Sequence, residues 1–439
     1  MRTLAEWLTL QESVHPKTID MGLARVSAVA RSLGVSAVEF PVITVGGTNG
    51  KGSVVAHLEA LLDALGALTG RFTSPHFLRY NERIRVGRQE ASDAELIAAF
   101  ESIEAARGAT TLTFFEYNTL AALLVFARRG VDVAVLEVGL GGRLDATNLL
   151  AADVAVLASV GFDHRDYLGD TLEAIGAEKA GIFRAGHPAV LGSAQMPASV
   201  FHALDASGAR AVVAERDFRW ELCGRRWNYH GLGGSLRDLP PSTLAGDIQY
   251  RNAATALAAV EALRSAGSEG RPSLRELLAR LAPLDERTAA AALARVELAG
   301  RLQIVPGEVE WILDIAHNEP AARVLAAELR ARPQPPGAAG MGRTIAVIGV
   351  LADKDAAAIG AALAGVIDRW IVCALPGARG TSAAELARRL ALAAGTFELA
   401  DSVEAACTLA RATAGRGDRV VVCGSVYTVG PALSWLRIY

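Results

Sequence analysis

The chain has 439 residues, of which 51% are hydrophobic and 21% are charged, and its formal net charge is -3. A chain of this length usually divides into two domains with separate hydrophobic cores. The small net charge and the lack of a long basic run argue against nucleic acid or membrane surfaces as partners, so small molecules are the expected ligands. No apolar run approaches a membrane span, which favours a cytoplasmic location.

Apolar, β-branched runs alternate with Ala- and Leu-rich helical patterns along the chain. Because most runs are continuous rather than alternating, they are typical of parallel strands covered on both faces. The pattern therefore predicts a doubly wound α/β architecture. The predicted strands are 41–45, 131–138, 153–160, 311–315, 344–350, 370–374 and 419–423, and clear helical stretches are 94–106 and 383–394.

Three segments interrupt this alternation. Residues 192–245 carry scattered Trp, Gly and Pro with short polar–apolar alternation, which predicts a small antiparallel insertion. The Ala- and charge-rich segment 285–295 marks the expected boundary between a domain of residues 1–290 and a domain of residues 297–439. Residues 332–341, with three prolines, are predicted to form a surface loop.

The four cysteines show no CxxC pairing and no histidine at ligand spacing. This usage is typical of a reducing compartment, so we expect buried and inert thiols. A monomer is the working expectation.

A phosphate-binding loop is predicted at residues 46–53, where a strand leads through a Gly-rich turn into a helix. Free N–H groups at a helix N-terminus bind anionic oxygens, and the helix dipole assists. Lys51 would reach the terminal phosphates and the Ser53 hydroxyl would bind Mg²⁺. The match to the general pattern is imperfect, since Val45 replaces its first glycine and Gly52 separates the lysine from the serine. An ordinary Gly-rich turn is the alternative.

Polar residues follow the next predicted strands, at the edge where α/β sheets bind ligands. Glu137 is placed to hold Mg²⁺, although a structural pairing with a helix N-terminus or with Arg143 is also consistent with its position. Asp163 and His164 would add an oxygen and an imidazole to the same site, or His164 is structural. Lys179, near the end of a helical stretch, is by default a solvated lysine.

Two further positions suit contacts with a nucleotide. Asn252 opens the predicted helix 253–263, and Arg301 follows the domain boundary. The planar guanidinium group matches phosphate geometry. Taken singly, each residue is equally consistent with a helix cap or a surface cation.

Residues 47–53 resemble the phosphate loop of the Mur-ligase-type ATP-dependent amide ligases. Residues 74–76, 137–148, 178–184 and 314–318 resemble the folylpolyglutamate synthase/dihydrofolate synthase branch of that family. Residues 15–23 and 114–117 are most similar to its bifunctional bacterial members, which add glutamate to dihydropteroate and extend folates. The resemblance implies a P-loop-containing Mur-ligase-like ATPase domain with a pterin or folate pocket. It also implies a smaller Rossmann-like α/β C-terminal glutamate ligase domain.

The resemblance also implies roles for individual side chains. The implied ATP-binding residues are Gly47, Thr48, Asn49, Gly50, Lys51, Gly52, Ser53, Asn252, Arg301, Asp314 and His317. The implied substrate-binding residues are Thr18, Asp20, Ser74, Pro75, His76, Phe115 and Glu116. The implied catalytic residues are Lys51, His164 and Lys179.

Two Mg²⁺ sites follow from the same resemblance. Ser53 and Glu137 would bind the first ion, and Glu137, His164 and Lys179 would bind the second. An ammonium group repels Mg²⁺, whereas a carbamate oxygen is a hard anionic ligand, so Lys179 is expected to be carbamylated. K⁺ is a further candidate cofactor.

Two stretches depart from the family pattern. His317-Asn318 is followed by Glu319-Pro320 where the family usually has proline directly, which questions the local loop shape but not His317. Residues 424–427 match the usual C-terminal glycine–serine turn only in outline.

Three other functions compete with a bifunctional ligase. The nearest is a folylpolyglutamate synthase without dihydrofolate synthase activity. A muramyl-peptide ligase normally carries an additional N-terminal domain, for which a phosphate loop at residue 47 leaves no room. A nucleotide-dependent switch would predict an Asn-Lys-x-Asp stretch that the sequence lacks.

Overall fold

A computed structural model describes residues 2–266, 272–332, 336–337 and 340–439. Its internal contacts divide the chain into two compact units. The first unit comprises Met1–Gly161, Arg165–Thr243 and Tyr250–Glu297, and the second comprises Phe162–His164, Leu244–Gln249 and Leu298–Tyr439. The first unit therefore contains the predicted phosphate loop. The proposed functions of the two domains stay predictions.

The first unit is built around an eight-stranded sheet in the order β4-β3-β2-β5-β1-β6-β7-β8. Its strands are β1 (Val42–Gly46), β2 (Thr69–Phe72), β3 (Ile84–Val86), β4 (Gln89–Glu90), β5 (Val133–Glu137), β6 (Val154–Leu157), β7 (Pro188–Leu191) and β8 (Arg210–Val213). Its α-helices up to residue 207 are α1 (Leu4–Val14), α2 (Ala24–Leu33), α3 (Lys51–Ala64), α4 (Asp93–Arg107), α5 (Phe114–Arg129), α6 (Arg165–Leu168), α7 (Leu172–Ala180) and α8 (Ala198–Ser207). Short 3₁₀ turns cover Tyr80–Arg83 and Ala146–Leu149.

Strands β2, β5, β1, β6, β7 and β8 run parallel, whereas β3 and β4 pair antiparallel at one edge. Strands β1 and β5 are buried along their whole length, as their continuous apolar sequence predicts. Helices pack on this sheet, and α4 and α5 each begin with a capping box at Ser92 and Thr113. The parallel arrangement brings the carboxyl ends of β2, β5, β1 and β6 to one edge.

A three-stranded antiparallel sheet confirms a small antiparallel insertion, but it covers only residues 219–239 of the predicted range 192–245. Residues 198–213 instead form α8 and the parallel strand β8 of the main sheet. Its strands are β9 (Arg219–Cys223), β10 (Arg226–Gly231) and β11 (Gly234–Leu239). Trp227 and Tyr229 are buried on one face. The last helices of this part of the chain are α9 (Ile248–Ser265), α10 (Pro272–Arg280) and α11 (Glu286–Leu293).

The second unit contains a six-stranded sheet in the order β12-β13-β19-β16-β17-β18, in which only β12 runs antiparallel to its neighbour. The strands of this unit, including two that lie outside the six-stranded sheet, are β12 (Gln303–Val305), β13 (Glu310–Asp314), β14 (Pro336–Gly337), β15 (Gly340–Met341), β16 (Thr344–Ile348), β17 (Arg369–Cys373), β18 (Phe397–Ala400) and β19 (Arg419–Cys423). Its helices are α12 (Glu319–Ala331), α13 (Ala356–Leu363), α14 (Ala383–Arg389), α15 (Val403–Thr413) and α16 (Val426–Trp435). Strands β14 and β15 form a separate two-residue pair.

Several predicted boundaries need correction. The helix expected at 253–263 begins at Ile248, so Asn252 lies within the helix rather than opening it. The helix expected at 383–394 ends at Arg389, and Leu390 is its C-cap residue. The predicted loop at 332–341 lies partly outside the described residues.

The cysteine prediction is confirmed for three residues and wrong for one. Cys373, Cys407 and Cys423 are buried, and burial raises the pKa of Cys373 and of Cys407 to about 12. Those thiols therefore stay protonated at neutral pH. Cys223 is exposed, because it ends a strand of the small antiparallel sheet. No helix in the described part of the chain is both long and apolar enough to cross a membrane.

Candidate active site

The phosphate loop connects β1 to α3, as the sequence predicts. Gly50 is the N-cap residue of this helix, with φ +86°, and as a glycine it has no side chain with which to cap the first turn. A side chain capping this end would occupy the amide groups that an anion needs. Gly47 has φ +143°, a backbone conformation that favours glycine, and a Cβ atom there would come within 3.1 Å of the Ser159 amide nitrogen. The loop is therefore shaped as an anion-binding turn.

The exit of β6 holds this loop in place. Ser159 accepts a hydrogen bond from the Asn49 amide at 3.0 Å and donates to the Asn49 carbonyl at 2.9 Å. The Thr48 hydroxyl donates to the Gly161 carbonyl at 3.0 Å. Ser159 was not among the predicted residues, although a small polar residue directly after a strand beside the loop is a usable signal.

Two lysines share one carbonyl group of the loop. Lys51 Nζ donates to the Gly47 carbonyl at 2.9 Å and to the Thr48 carbonyl at 3.1 Å. Lys179 Nζ donates to the same Gly47 carbonyl at 3.2 Å. Lys179 is only 5% exposed, so the interpretation of a solvated lysine is wrong.

Glu137 ends β5 and is 5% exposed. Its Oε2 accepts a hydrogen bond from the Ser74 amide at 3.2 Å. Arg143, the structural partner that the sequence left open, instead pairs with Glu178 at 2.9 Å. The carboxylate and the start of the 74–76 turn therefore lie together at the edge of the sheet.

The loop after β5 fixes the end of α7, which carries Lys179. Asp145 is buried and accepts hydrogen bonds from the Leu140 amide and from both the amide and the hydroxyl of Thr147. The Arg143 amide donates to the Glu178 carbonyl at 2.9 Å. Desolvation by burial raises the pKa of Asp145, although these hydrogen bonds oppose it. The loop is thus a rigid support rather than a flexible connection.

Asn252 lies beside the phosphate loop. A Cβ atom added at Gly50 would come within 3.1 Å of the Asn252 Oδ1 atom, and Asn252 is buried. The structure therefore brings together the loop, Asn252, Glu137 and Lys179 within the first unit.

The remaining expected ATP residues lie in the second unit. Asp314, at the end of β13, accepts hydrogen bonds from the amides of Leu302 and Ala316, each at 2.8 Å. Burial raises its pKa, and the nearby Arg301 guanidinium opposes this shift. His317 Nδ1 lies 3.0 Å from the Ile315 carbonyl. Asp314 thus organises the turn that carries His317.

Asp163 is the centre of a polar cluster in the second unit. Its carboxylate lies 2.6 Å from Lys354 Nζ, 3.2 Å from His317 Nε2 and 2.9 Å from Asn318 Nδ2. Burial would raise the pKa of Asp163, but His317, Lys354 and His164 hold it well below its usual range. In the structure, the Asp163 carboxylate contacts Lys354, His317 and Asn318. The sequence suggested Asp163 as an oxygen ligand of the metal site. Lys354 was not predicted, although it follows the exit of β16.

His164 belongs by its contacts to the second unit. Its φ is +52°, and its Nε2 lies 3.5 Å from Lys354 Nζ. The role of His164 as a metal ligand stays a prediction.

The expected substrate-binding residues occupy two places in the first unit. Asp20 pairs with Arg25 at 2.7 Å and with His15 at 3.1 Å. Glu116 closes the capping box of α5 through the Thr113 amide, and its Oε1 lies 3.3 Å from Arg25. Asp20 and Glu116 therefore share Arg25, which was not predicted.

The other expected substrate residues lie near the turn after β2. The Phe115 ring approaches so closely that a Cβ atom at Gly139 would come within 2.5 Å of it. The Ser74–Pro75 peptide bond is cis, and His76 follows it. The side chain of Thr18 is exposed.

The chemistry of the first proposed metal site fits Mg²⁺. Ser53 and Glu137 are buried side chains with oxygen donors, which is the donor type that this ion prefers. Among the described residues, no three His, Cys, Asp or Glu side chains are grouped to hold a metal ion. The proposed second site includes a lysine, so only two of its ligands are of those types.

Comparison with known proteins identifies the family. Residues 45–210 match the Mur ligase middle domain, and residues 300–426 match the Mur ligase glutamate ligase domain. Over 426 residues the chain is 42% identical to the dihydrofolate synthase/folylpolyglutamate synthase of Escherichia coli K12, covering 97% of this chain and 94% of that protein. The chain belongs to the dihydrofolate synthase/folylpolyglutamate synthase family.

Solved structures agree with this assignment. The Escherichia coli FolC structure in complex with DHPP and ADP superposes with a TM-score of 0.89 at 41% identity, covering 99% of this chain and 98% of that one. A bifunctional folylpolyglutamate synthase/dihydrofolate synthase with Mn, AMPPNP and L-glutamate bound gives a TM-score of 0.87 at 38% identity, covering 100% and 99%. The predicted family and the predicted two-domain α/β fold are therefore confirmed.

Proposed function

We infer that this chain is an ATP-dependent carboxylate–amine ligase that adds L-glutamate to dihydropteroate and to reduced folates. The observation that carries this inference is its full-length relationship to bifunctional enzymes of that name. The uncapped phosphate loop and the adjoining buried carboxylate supply the matching chemistry.

The reaction proceeds through an acyl phosphate. A carboxylate is a poor electrophile, so the γ-phosphoryl group of ATP is transferred to it first. The amine of L-glutamate then attacks the acyl carbon, an amide forms and phosphate leaves. Lys51 and the amides at the start of α3 would bind the phosphates and stabilise the negative charge on the phosphoryl group during its transfer.

Mg²⁺ is the proposed metal, held at a first site by Ser53 and Glu137 and at a second by Glu137, His164 and Lys179. When bound, the ions would neutralise phosphate charge and align the reacting oxygens. Homologous structures hold Mn and AMPPNP, which supports a nucleotide with a divalent ion. The Ser74 amide would fix the orientation of Glu137.

Carbamylation of Lys179 is part of the proposal. Lys51 and Lys179 both donate to the Gly47 carbonyl, and two positive charges that bind the same oxygen atom repel each other. Conversion of Lys179 to a carbamate would replace that repulsion by attraction. Incubation with ¹³C-bicarbonate should give a carbamate ¹³C NMR signal that is missing from Lys179→Ala. A spectrum identical for the two proteins would remove the proposal.

In the second unit, Arg301, Asp314 and His317 are proposed to contact ATP. The supporting observation is that Asp314 and Asp163 fix the two ends of the turn bearing His317. Thr18, Asp20, Phe115, Glu116 and residues 74–76 are proposed to shape the pterin pocket.

The decisive test measures ADP release by the purified chain with ATP, Mg²⁺ and L-glutamate. Dihydropteroate and a reduced folate are each added separately, and Lys51→Met is the inactive control. Turnover with both substrates is expected. Turnover with the reduced folate alone would establish the monofunctional alternative. ADP release that does not require glutamate would support a nucleotide switch instead.

Three finer proposals accompany the activity. K⁺ is proposed to assist, which replacement of KCl by a tetramethylammonium salt would test. The chain is proposed to act as a monomer, and sedimentation velocity with and without substrates would test this. A cytoplasmic location is proposed, and cell fractionation would test it.

A further inference from the structure

The turn between β2 and β3 begins beside the proposed metal site. Strand β2 is parallel to β5 and adjacent to it, so both carboxyl ends lie at the same edge of the sheet. The Ser74 amide donates to the Glu137 carboxylate at 3.2 Å. His76 follows two residues later and is partly exposed. The turn that carries His76 therefore starts near the place where the carboxylate of the substrate would be activated.

Glu82 holds this turn in one conformation. Its carboxylate accepts hydrogen bonds from three successive amides, those of Phe77 at 2.7 Å, Leu78 at 2.8 Å and Arg79 at 2.6 Å. Glu82 is buried, so these bonds are shielded from water. The backbone next to His76 is therefore rigid.

Arg83 contacts the His76 ring directly. Its Nε donates to His76 Nδ1 at 2.7 Å. The Arg83 guanidinium also lies 5.8 Å from the centre of the Tyr80 ring and 5.4 Å from that of Phe114, at distances typical of cation–π contacts. Arg83 is buried, which fixes the position of this donor.

The direction of this hydrogen bond determines the tautomer of His76. An arginine has donors but no acceptor, so the His76 Nδ1 atom must accept. A neutral imidazole that accepts at Nδ1 carries its proton at Nε2. Burial, followed by the nearby Arg83 charge, lowers the pKa of His76 to about 4, so the ring is neutral at physiological pH.

We propose that Arg83 is a positioning residue that locks His76 as a neutral Nε2–H donor for a carboxylate oxygen of the acyl substrate. The proposal rests on the ligase function inferred above. Negative charge grows on that oxygen when the amine of glutamate attacks, and a fixed donor stabilises it. His76 cannot be the base that deprotonates glutamate, because Nδ1 is occupied and Nε2 already carries a proton.

The tautomer is tested by NMR on protein labelled with ¹⁵N-histidine, independently of activity. The His76 signals are assigned by their loss in His76→Gln. We expect an unprotonated Nδ1 and a protonated Nε2 in the wild type. Arg83→Met should convert this to a mixture of tautomers, whereas Arg83→Lys, which keeps a donor-only cation, should preserve it. A protonated Nδ1 in the wild type would overturn the proposal.

The donor role is tested by kinetics with dihydropteroate. Loss of one donor of this kind typically lowers kcat by about 10²–10³-fold, so His76→Ala should fall in that range. His76→Gln, which restores an N–H donor, should recover part of the loss. Arg79→Met is the matched control on the same turn, because this arginine side chain is 64% exposed, and it should retain wild-type kcat.

Two kinetic outcomes would contradict the donor role. A raised KM for dihydropteroate with unchanged kcat in His76→Ala would indicate contact with the pterin ring instead. A pH–rate profile whose acid limb moves in Arg83→Met, with the tautomer unchanged, would indicate that His76 acts as a base. Failure of the wild type to turn over any substrate would contradict the ligase function, while the NMR result would still decide the tautomer.

Discussion

Gly142→Ala should impair ligation by displacing Lys179 from the phosphate loop. A Cβ atom at Gly142 would lie 2.6 Å from the Lys179 carbonyl oxygen and 3.0 Å from both the Glu178 carbonyl oxygen and the Lys179 Cα. All three atoms belong to the backbone of α7, so no rotation of a side chain can relieve the contact. The helix end or the loop after β5 has to move.

The size of the effect follows from these distances. Ordinary contact begins near 3.4 Å, so the oxygen lies about 0.8 Å too close. Overpacking of this kind typically costs ~1–3 kcal/mol of stability. A displacement of about 1 Å in a catalytic group can lower the rate by roughly 10²-fold. We therefore expect kcat/KM to fall by about one to two orders of magnitude while the protein remains folded.

The assay compares ADP release and urea unfolding for Gly142→Ala and Gly415→Ala. Gly415 is a matched control, because its added Cβ meets only the Asp418 carboxylate at 4.0 Å. The control should behave as wild type in both measurements. Wild-type kcat/KM in Gly142→Ala would refute the claim that this loop positions Lys179.

Three further predictions address other parts of the chain. Lys179→Ala should abolish ligation without changing the circular dichroism spectrum, and near-normal turnover would remove its ligand role. Gly139→Ala should raise the KM for dihydropteroate more than that for ATP, because the new methyl group would lie 2.5 Å from the Phe115 ring; equal changes in both constants would contradict this. Burial would raise the pKa of Glu310, but hydrogen bonds from two arginines lower it. Its folded-state pKa is thus below the unfolded value of ~4.3, so the stability it contributes is present above that pH and is lost as the pH falls through the folded pKa. Urea unfolding between pH 7 and 3 should show a shallower acid limb for Glu310→Gln, and parallel curves would argue against this role.

The sequence predicts the strand exits well because parallel strands buried on both faces leave continuous apolar runs. Residues that follow such a run can be located by counting along the chain. Glu137 and the phosphate loop were found in this way, and the structure places them at one edge of the sheet. The family resemblance added Lys179, whose position on α7 carries no local signal of burial.

The supporting residues could not be predicted because their partners are distant in the chain. Arg25 joins Asp20 to Glu116, and Lys354 reaches Asp163 across 191 positions. Periodicity reports which face of an element is buried, but it does not report which polar groups meet there. The direction of the bond from Arg83 to His76 likewise exists only in three dimensions.

The departure from the family pattern after His317 has a simple structural explanation. Asn318 is the N-cap of α12, and its Oδ1 accepts from the Ala321 amide at 3.1 Å. Glu319 and Pro320 then occupy the first turn, where backbone N–H groups have no partner within the helix. A proline therefore costs no hydrogen bond at either of the first two positions, and an acidic residue ahead of it is favourable next to the helix dipole. The Oδ1 atom of Asn318 serves as the cap while its Nδ2 atom donates to Asp163. The turn that carries His317 is therefore held to Asp163 through both Asn318 and His317.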